Sequence, residues 1–228
     1  MPSPFSIRDA VVSSHDAQFI ADAFDSTIPH LTAAGNAAQW GTEPMSRRSG
    51  FHKTINDSLE QSERFRESGD GERVRVFIAE VEDDQDVAAG ASTSDGLARR
   101  VDEHGRAYVA VGVAKILDEH FKDYVLEAEV LKPSVNAATE AGNFVFLDML
   151  VTDHRVGNRR KGAGDALIQK TKEYAAEHGR KSIWLDCYAG GKLVQYYVSK
   201  GFTPVAAFDL PRPQAGIYKG QLLRMDLA

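Results

Sequence analysis

Twelve consecutive residues of this 228-residue chain carry its clearest chemical signal: His154-Arg-Val-Gly-Asn-Arg-Arg-Lys-Gly-Ala-Gly-Asp165. Arg155, Arg159, Arg160 and Lys161 supply cations, and Gly162 and Gly164 follow them. An apolar run precedes the segment and helix-forming sequence follows it, the setting of a strand-to-helix turn. There the first helical N–H groups lack intrahelical partners, the dipole presents its positive end, and glycine lets an anion approach the backbone. Such a turn suits a phosphorylated cofactor. The nucleoside-triphosphate loop, Gly-x-x-x-x-Gly-Lys-Ser/Thr, is absent, and so is the dinucleotide fingerprint Gly-x-Gly-x-x-Gly, because Leu167 stands where its last glycine belongs.

Two carboxylates interrupt apolar runs. Asp148 lies within Phe146-Leu-Asp-Met-Leu-Val151 and Asp186 within Ile183-Trp-Leu-Asp-Cys187. A lone buried carboxylate is costly unless paired. Asp148 is therefore either a partner of a structural cation or a group that binds a cationic amine or takes its proton. His154 reads as a solvated turn residue and Cys187 as a small hydrophobe, with nothing adjacent to stabilise a thiolate. No Cys/His spacing suggests a metal site. The acidic run from Glu80 to Asp86 reads as a solvated loop.

The elements that must position these groups follow from periodicity. Strands are expected at Phe5–Val12, Arg73–Val81, Ala107–Leu117, Phe144–Val151, Ser182–Cys187, Thr203–Leu210 and Gln221–Leu227. Helices are expected after Ser14, over Phe51–Arg66, Gly164–His178 and Lys192–Lys200, with Gly179 and Gly201 ending the last two. Ile28–Gly50, with Pro29, Gly35, Gly41 and Pro44, reads as broken helix and loop. A polar insertion near 82–106 and an irregular segment near 131–143 complete a single domain over 1–228, preceded at Tyr124–Val130 by an extended stretch.

Composition sets the outer bounds. With 43% hydrophobic and 26% charged residues, the chain is neither collagen-like nor disordered. The net charge of −6 argues against a polyanion-binding surface, and no aromatic residues interleave the basic cluster to stack bases, so no nucleic-acid partner is expected. One cysteine excludes an intrachain disulfide, and neither a signal peptide nor an apolar stretch of about 18 residues is present, so the expectation is a cytoplasmic protein without membrane contact. The final strands offer an edge on which a homodimer could form.

Arg159-x-x-Gly162-x-Gly164 resembles the Arg/Gln-x-x-Gly-x-Gly/Ala motif of the GCN5-related N-acetyltransferases (GNAT superfamily). Trp184-Leu-Asp186 on the next strand and Tyr197-Val-Ser-Lys-Gly201-Phe202, similar to the family's Tyr-x-x-x-Gly-Phe segment, extend the likeness from Phe144 to about Val205. The turn between Val151 and Gly162 is about three residues longer than usual, and an Asn common near Gly190 is missing. The resemblance implies an α/β (α+β) fold with a mixed, mostly antiparallel central sheet, helices on both faces, and the order β-α-α-β-β-β-α-β-α-β-β. It implies acetyl transfer from acetyl-CoA to a primary amine of a small molecule or peptide in a ternary complex; the alternative is a catalytically silent acyl-CoA sensor. Backbone amides from about Arg160 to Asp165 would hold the pyrophosphate, with Arg159, Arg160, Lys161, Gly162, Ala163, Gly164 and Asp165 as the cofactor-binding set, and Leu150 and Val151 would pair along the pantetheine arm. Tyr197 occupies the family position for the acid that protonates the leaving thiolate; its competing reading is a core tyrosine sharing a helix face with Leu193. Asp186 matches a position proposed to relay the amine's proton, against a structural carboxylate bonded to backbone amides. Trp40 and Gln39 lie in the segment that roofs the acceptor pocket.

Overall fold

The computed structural model of the protein describes residues 3–83, 95–212 and 216–227. Among them, eight strands share a sheet: β1 (Phe5–Asp9), β2 (Val74–Glu82), β3 (Arg99–Val101), β4 (Ala107–Asp118), β5 (Phe144–Thr152), β6 (Ser182–Tyr188), β7 (Thr203–Arg212) and β8 (Gly216–Asp226). Their order is β1-β2-β4-β5-β6-β8-β7, with β3 paired to β4 off that path. The β1–β2, β3–β4, β6–β8 and β7–β8 pairs are antiparallel and β5–β6 is parallel. The helices are α1 (Asp16–Ala33), α2 (Phe51–Ser68), α3 (Asp123–Glu127), α4 (Lys132–Ala141), α5 (Ala163–Glu177) and α6 (Leu193–Ser199). This is the mixed, mostly antiparallel α/β architecture that the sequence implied.

The chain forms two compact units. One comprises Met1–Thr27, Pro44–Lys115 and Met149–Gln169; the other comprises Ile28–Glu43, Ile116–Asp148 and Lys170–Ala228. In the first, the β-branched run of β2 and the alternating apolar positions of β4 are buried, including Val76, Ile78, Val111 and Val113. Glu80 is 1% exposed within that core. Arg8 Nε meets its carboxylate at 2.7 Å and Arg100 Nη2 at 2.6 Å, because a buried charge is tolerated only when paired. Ser14 Oγ accepts the Asp16 N–H at 3.1 Å, the local bond that starts α1. Gly112 of β4 lets the start of α5 lie close: a Cβ there would stand 3.3 Å from both Leu167 Cδ1 and the Val151 carbonyl.

The second unit is organised by aromatic packing. The Phe121 ring stacks on Phe144 at 4.4 Å between centroids and meets Phe146 and Trp184 edge-on. Asp118, 2% exposed, accepts from Tyr174 Oη at 3.0 Å and from Arg180 Nε at 2.7 Å. Gly179 ends α5 at φ +67°, as expected of a left-handed helix stop.

Four local expectations need correction. The segment near 131–143 is helical over Lys132–Ala141, because Pro133 sits in the first turn, where its missing N–H costs nothing. The extended stretch expected at Tyr124–Val130 contains α3 instead. Helix α1 continues through Pro29 to Ala33 rather than breaking at Ile28. The 82–106 insertion ends in a hairpin, with Arg99–Val101 paired to Ala107–Val109, and the acidic run expected as a solvated loop instead places Glu80 and Glu82 in β2, with Glu80 and Asp83 buried and Asp83 paired to Arg99; residues 84–94, which hold the run's last three positions, lie outside the described residues.

Candidate active site

The basic turn lies in the first unit. After β5, Asp153 accepts the Arg155 backbone N–H at 2.9 Å and opens a 3-10 segment, His154–Arg160, interrupted at Gly157 (φ 60°, ψ −128°). Lys161 is extended, Gly162 takes φ +92°, and α5 begins at Ala163. A side chain at Gly162 would be strained, and its Cβ would stand 3.2 Å from the Phe5 ring. The first hydrogen bond into the helix runs from Ala166 N to the Gly162 carbonyl at 3.0 Å. The amides of the preceding turn therefore point out of the helix end with no intrahelical acceptor. Ala163 is buried, Gly164 is half-buried, and Gly162 and Asp165 are exposed.

The four cations of this turn divide sharply. Arg155 is a structural residue: its guanidinium pairs with the fully buried Asp153 at 2.8 Å and with Asp22 at 2.8 Å, and donates to the Gly96 carbonyl at 3.1 Å. The sequence counted it among the anion-binding cations; its partner Asp22 lies 133 positions away and left no local signal. Arg159 pairs with Asp83 at 3.2 Å, which also holds Arg99 at 2.7 Å. Arg160 donates to Thr152 Oγ1 at 3.3 Å and is half-buried, while Lys161 is exposed. His154 is half-buried, its backbone N–H bonded to Ser26 Oγ at 2.9 Å.

The carboxylates lie in the second unit. The parallel register of β5 and β6 runs from Phe144 opposite Ser182 to Leu147 opposite Leu185, and Asp148 and Asp186 occupy the next position on each strand. Two acids thus stand side by side where the pairing ends. Tyr124 Oη donates to Asp186 Oδ1 at 2.6 Å, and Tyr218 Oη donates to Asp186 Oδ2 at 3.0 Å. Burial, with Asp148 adding to it, raises the Asp186 pKa above the usual carboxylate range, while the two phenol donors pull it back. Asp148 faces Lys122 Nζ at 3.9 Å. The alternative that backbone amides hold Asp186 is replaced by two phenols, which the sequence did not reveal.

Tyr197 is 7% exposed on α6, edge-on to Phe202 and Tyr196. Burial pushes its phenol well above the ordinary tyrosine value, so it stays protonated. Cys187 is buried, and its thiol is pushed up to about 12 by burial. Gln39 is 9% exposed, and its Oε1 is buried without a hydrogen-bond partner among the described residues. Its carbonyl accepts from Arg212 Nη1 at 2.5 Å, and the Arg212 guanidinium stands 4.2 Å from the Tyr218 ring. Gln39 is thereby linked through Arg212 and Tyr218 to Asp186. Trp40 is half-buried in the same turn. Leu150 and Val151, half-buried and buried, follow Asp148 along β5. A cavity of about 570 Å³ bounded by α4, Lys181, Trp184 and Arg224 lies at the other end of β5 and β6 and includes none of these residues. No group of three or more His, Cys, Asp or Glu suited to a metal occurs among the described residues.

No protein-family model and no curated protein sequence matches the chain. Solved structures do match over nearly its full length. An N-acetyltransferase from Staphylococcus aureus superposes with a TM-score of 0.57 at 13% identity, covering 99% of this chain and 100% of that one. A GNAT-superfamily phosphinothricin acetyltransferase from Sinorhizobium meliloti, solved with acetyl-CoA, gives 0.54 at 13% identity, covering 99% and 90%. The PaiA N-acetyltransferase from Thermoplasma acidophilum, solved with coenzyme A, gives 0.53 at 10% identity, covering 98% and 99%. The chain therefore has the fold of the GNAT acetyltransferases. No helix among the described residues is long and apolar enough to cross a membrane.

Proposed function

We propose that the protein is an N-acetyltransferase that moves an acetyl group from acetyl-CoA to a primary amine of a small molecule or peptide. The observation that carries this reading is the glycine-bearing turn at the head of α5, with outward amides, Arg160 and Lys161, on a fold whose solved relatives bind acetyl-CoA or CoA. The residues fit the cofactor: amides from Gly162 to Asp165 with Arg160 and Lys161 suit a pyrophosphate, and the backbone of Leu150 and Val151 suits the pantetheine amides. Bound there, acetyl-CoA supplies a thioester carbonyl and a thiol leaving group. Arg159, held by Asp83, sets the loop's path beside them.

Asp148 and Asp186 place negative charge for an acceptor's ammonium, and burial raises the proton affinity of Asp186. Tyr197 remains a phenol and donates to the sulfur as the thiolate forms. The unpartnered Oε1 of Gln39 accepts from the amine, a bond that relieves a buried acceptor. Titration calorimetry with acetyl-CoA, beside ATP and NAD, tests the cofactor assignment. Micromolar binding of acetyl-CoA alone supports it, and no binding overturns it.

A further inference from the structure

Asp186 is held from two sides by elements far apart in sequence. Tyr124 belongs to α3, in the segment between β4 and β5, and Tyr218 belongs to β8. Each phenol takes one carboxylate oxygen, which fixes the plane of the group and leaves a lone pair on each oxygen uncommitted. The clamp is itself supported. Tyr218 leans on Tyr188 with centroids 5.7 Å apart and lies under the Arg212 guanidinium, while Val125, beside Tyr124, is fully buried. The charged and titratable groups that face Asp186 are Tyr124 from α3, Asp148 from β5, Cys187 from β6, Arg212 from β7 and Tyr218 from β8, with Tyr197 of α6 in range. Arg212 is the cation among them, and no lysine among the described residues bonds to the carboxylate.

Resting on the acyl-transfer reading above, we propose that Tyr124 and Tyr218 are positioning residues that hold the Asp186 carboxylate ready to take the proton of the incoming ammonium. In that step an N–H bond of the ammonium breaks and an O–H bond forms on Asp186, which loses its negative charge, while the freed amine lone pair attacks the thioester. The phenols keep their own protons throughout, since burial and the adjacent carboxylate disfavour phenolate at both. Helix α3 thus contributes to the reacting site through one hydroxyl.

The test uses protein labelled with carboxyl-¹³C aspartate, with the Asp186 resonance assigned through Asp186→Asn. Removing a donor to the ionised form raises the proton affinity of the carboxylate, so Tyr124→Phe and Tyr218→Phe should each move its titration midpoint up by about one pH unit. The acidic limb of kcat/KM for an amine acceptor should move by the same amount, with acetyl-CoA affinity unchanged. Incorporating 3-fluorotyrosine into the wild-type chain keeps every side chain's shape and strengthens both donors, so the midpoint should fall even where a Phe variant does not fold. Midpoints that stay fixed in all these proteins would overturn the clamp. Midpoints that move while the kcat/KM limb does not would overturn the proton role. Midpoints that move in a protein that acetylates no amine would overturn the acyl-transfer reading itself, and the proton role with it.

Discussion

Replacing Arg155 and Arg160 by alanine, one at a time, separates the two kinds of cation that share the loop before α5. Arg155→Ala removes guanidinium contacts of 2.8, 3.0 and 3.1 Å from Asp153 and leaves it the backbone N–H at 2.9 Å. Stripping the partner from a fully buried ion pair costs about 3–5 kcal/mol. Arg155 is 29% exposed and one donor remains, so the expected loss is nearer about 2 kcal/mol. Arg160→Ala gives up a single 3.3 Å contact with Thr152 and should leave stability within about 0.5 kcal/mol. Binding should show the reverse order. A charge-assisted bond to a phosphate is worth about 1.5–3 kcal/mol, so Arg160→Ala should weaken acetyl-CoA about 10- to 100-fold. Arg155→Ala should leave the affinity within about twofold of wild type once the folded fraction is fixed. Urea denaturation gives the first quantity and titration calorimetry the second. A stable Arg155→Ala protein that has lost acetyl-CoA, or an Arg160→Ala protein that binds it normally, would refute the division.

Other consequences follow from burial and close packing. The raised pKa of Asp186 means that the folded state binds its proton more tightly than the unfolded state. Stability should therefore fall as pH rises from the ordinary carboxylate value through the folded one, and Asp186→Asn should flatten that fall while lowering activity, both measurable by urea midpoints and turnover at pH 5 and 8. Cys187, with its thiol near about 12, should have about one part in ten thousand thiolate at pH 8 and resist iodoacetamide until the protein unfolds, as intact mass would record. Gly112→Ala places a methyl group 3.3 Å from the Val151 carbonyl and should cost about 1–3 kcal/mol in denaturation while also weakening acetyl-CoA through a displaced α5.

The parts of the fold readable in sequence were those with a local cause. The nearly all-apolar run of β5, the basic glycine turn and the helix ended by Gly179 each leave their mark within a few residues, and each stands where the sequence pattern places it. Helix α4 escaped notice because Pro133 and Gly142 look like breakers until Pro133 is placed in a first turn. Arg155 was misjudged, and Tyr124 and Tyr218 were overlooked, for a different reason. Arg155 bonds Asp153 two positions back, but its second carboxylate, Asp22, lies 133 positions away and the two phenols lie 62 and 32 positions from Asp186, so only folding brings those groups into contact. Asp186 was legible as a carboxylate in an apolar strand, but its surroundings were not. The unpaired Oε1 of Gln39 likewise comes from the packing around it, since a glutamine in a polar turn gives no sign that its side chain is buried.

The most direct test of the central claim is amine-dependent release of free thiol from acetyl-CoA, followed across a panel of primary amines with the mass of each product recorded, in the wild-type protein and in Tyr197→Phe. The account predicts release with at least one amine, a mass gain of one acetyl group on that amine, and a fall of about 100-fold or more in kcat in the variant with acetyl-CoA affinity unchanged. Tight acetyl-CoA binding without thiol release for any amine would contradict it, and would leave a protein that binds the cofactor but performs no transfer.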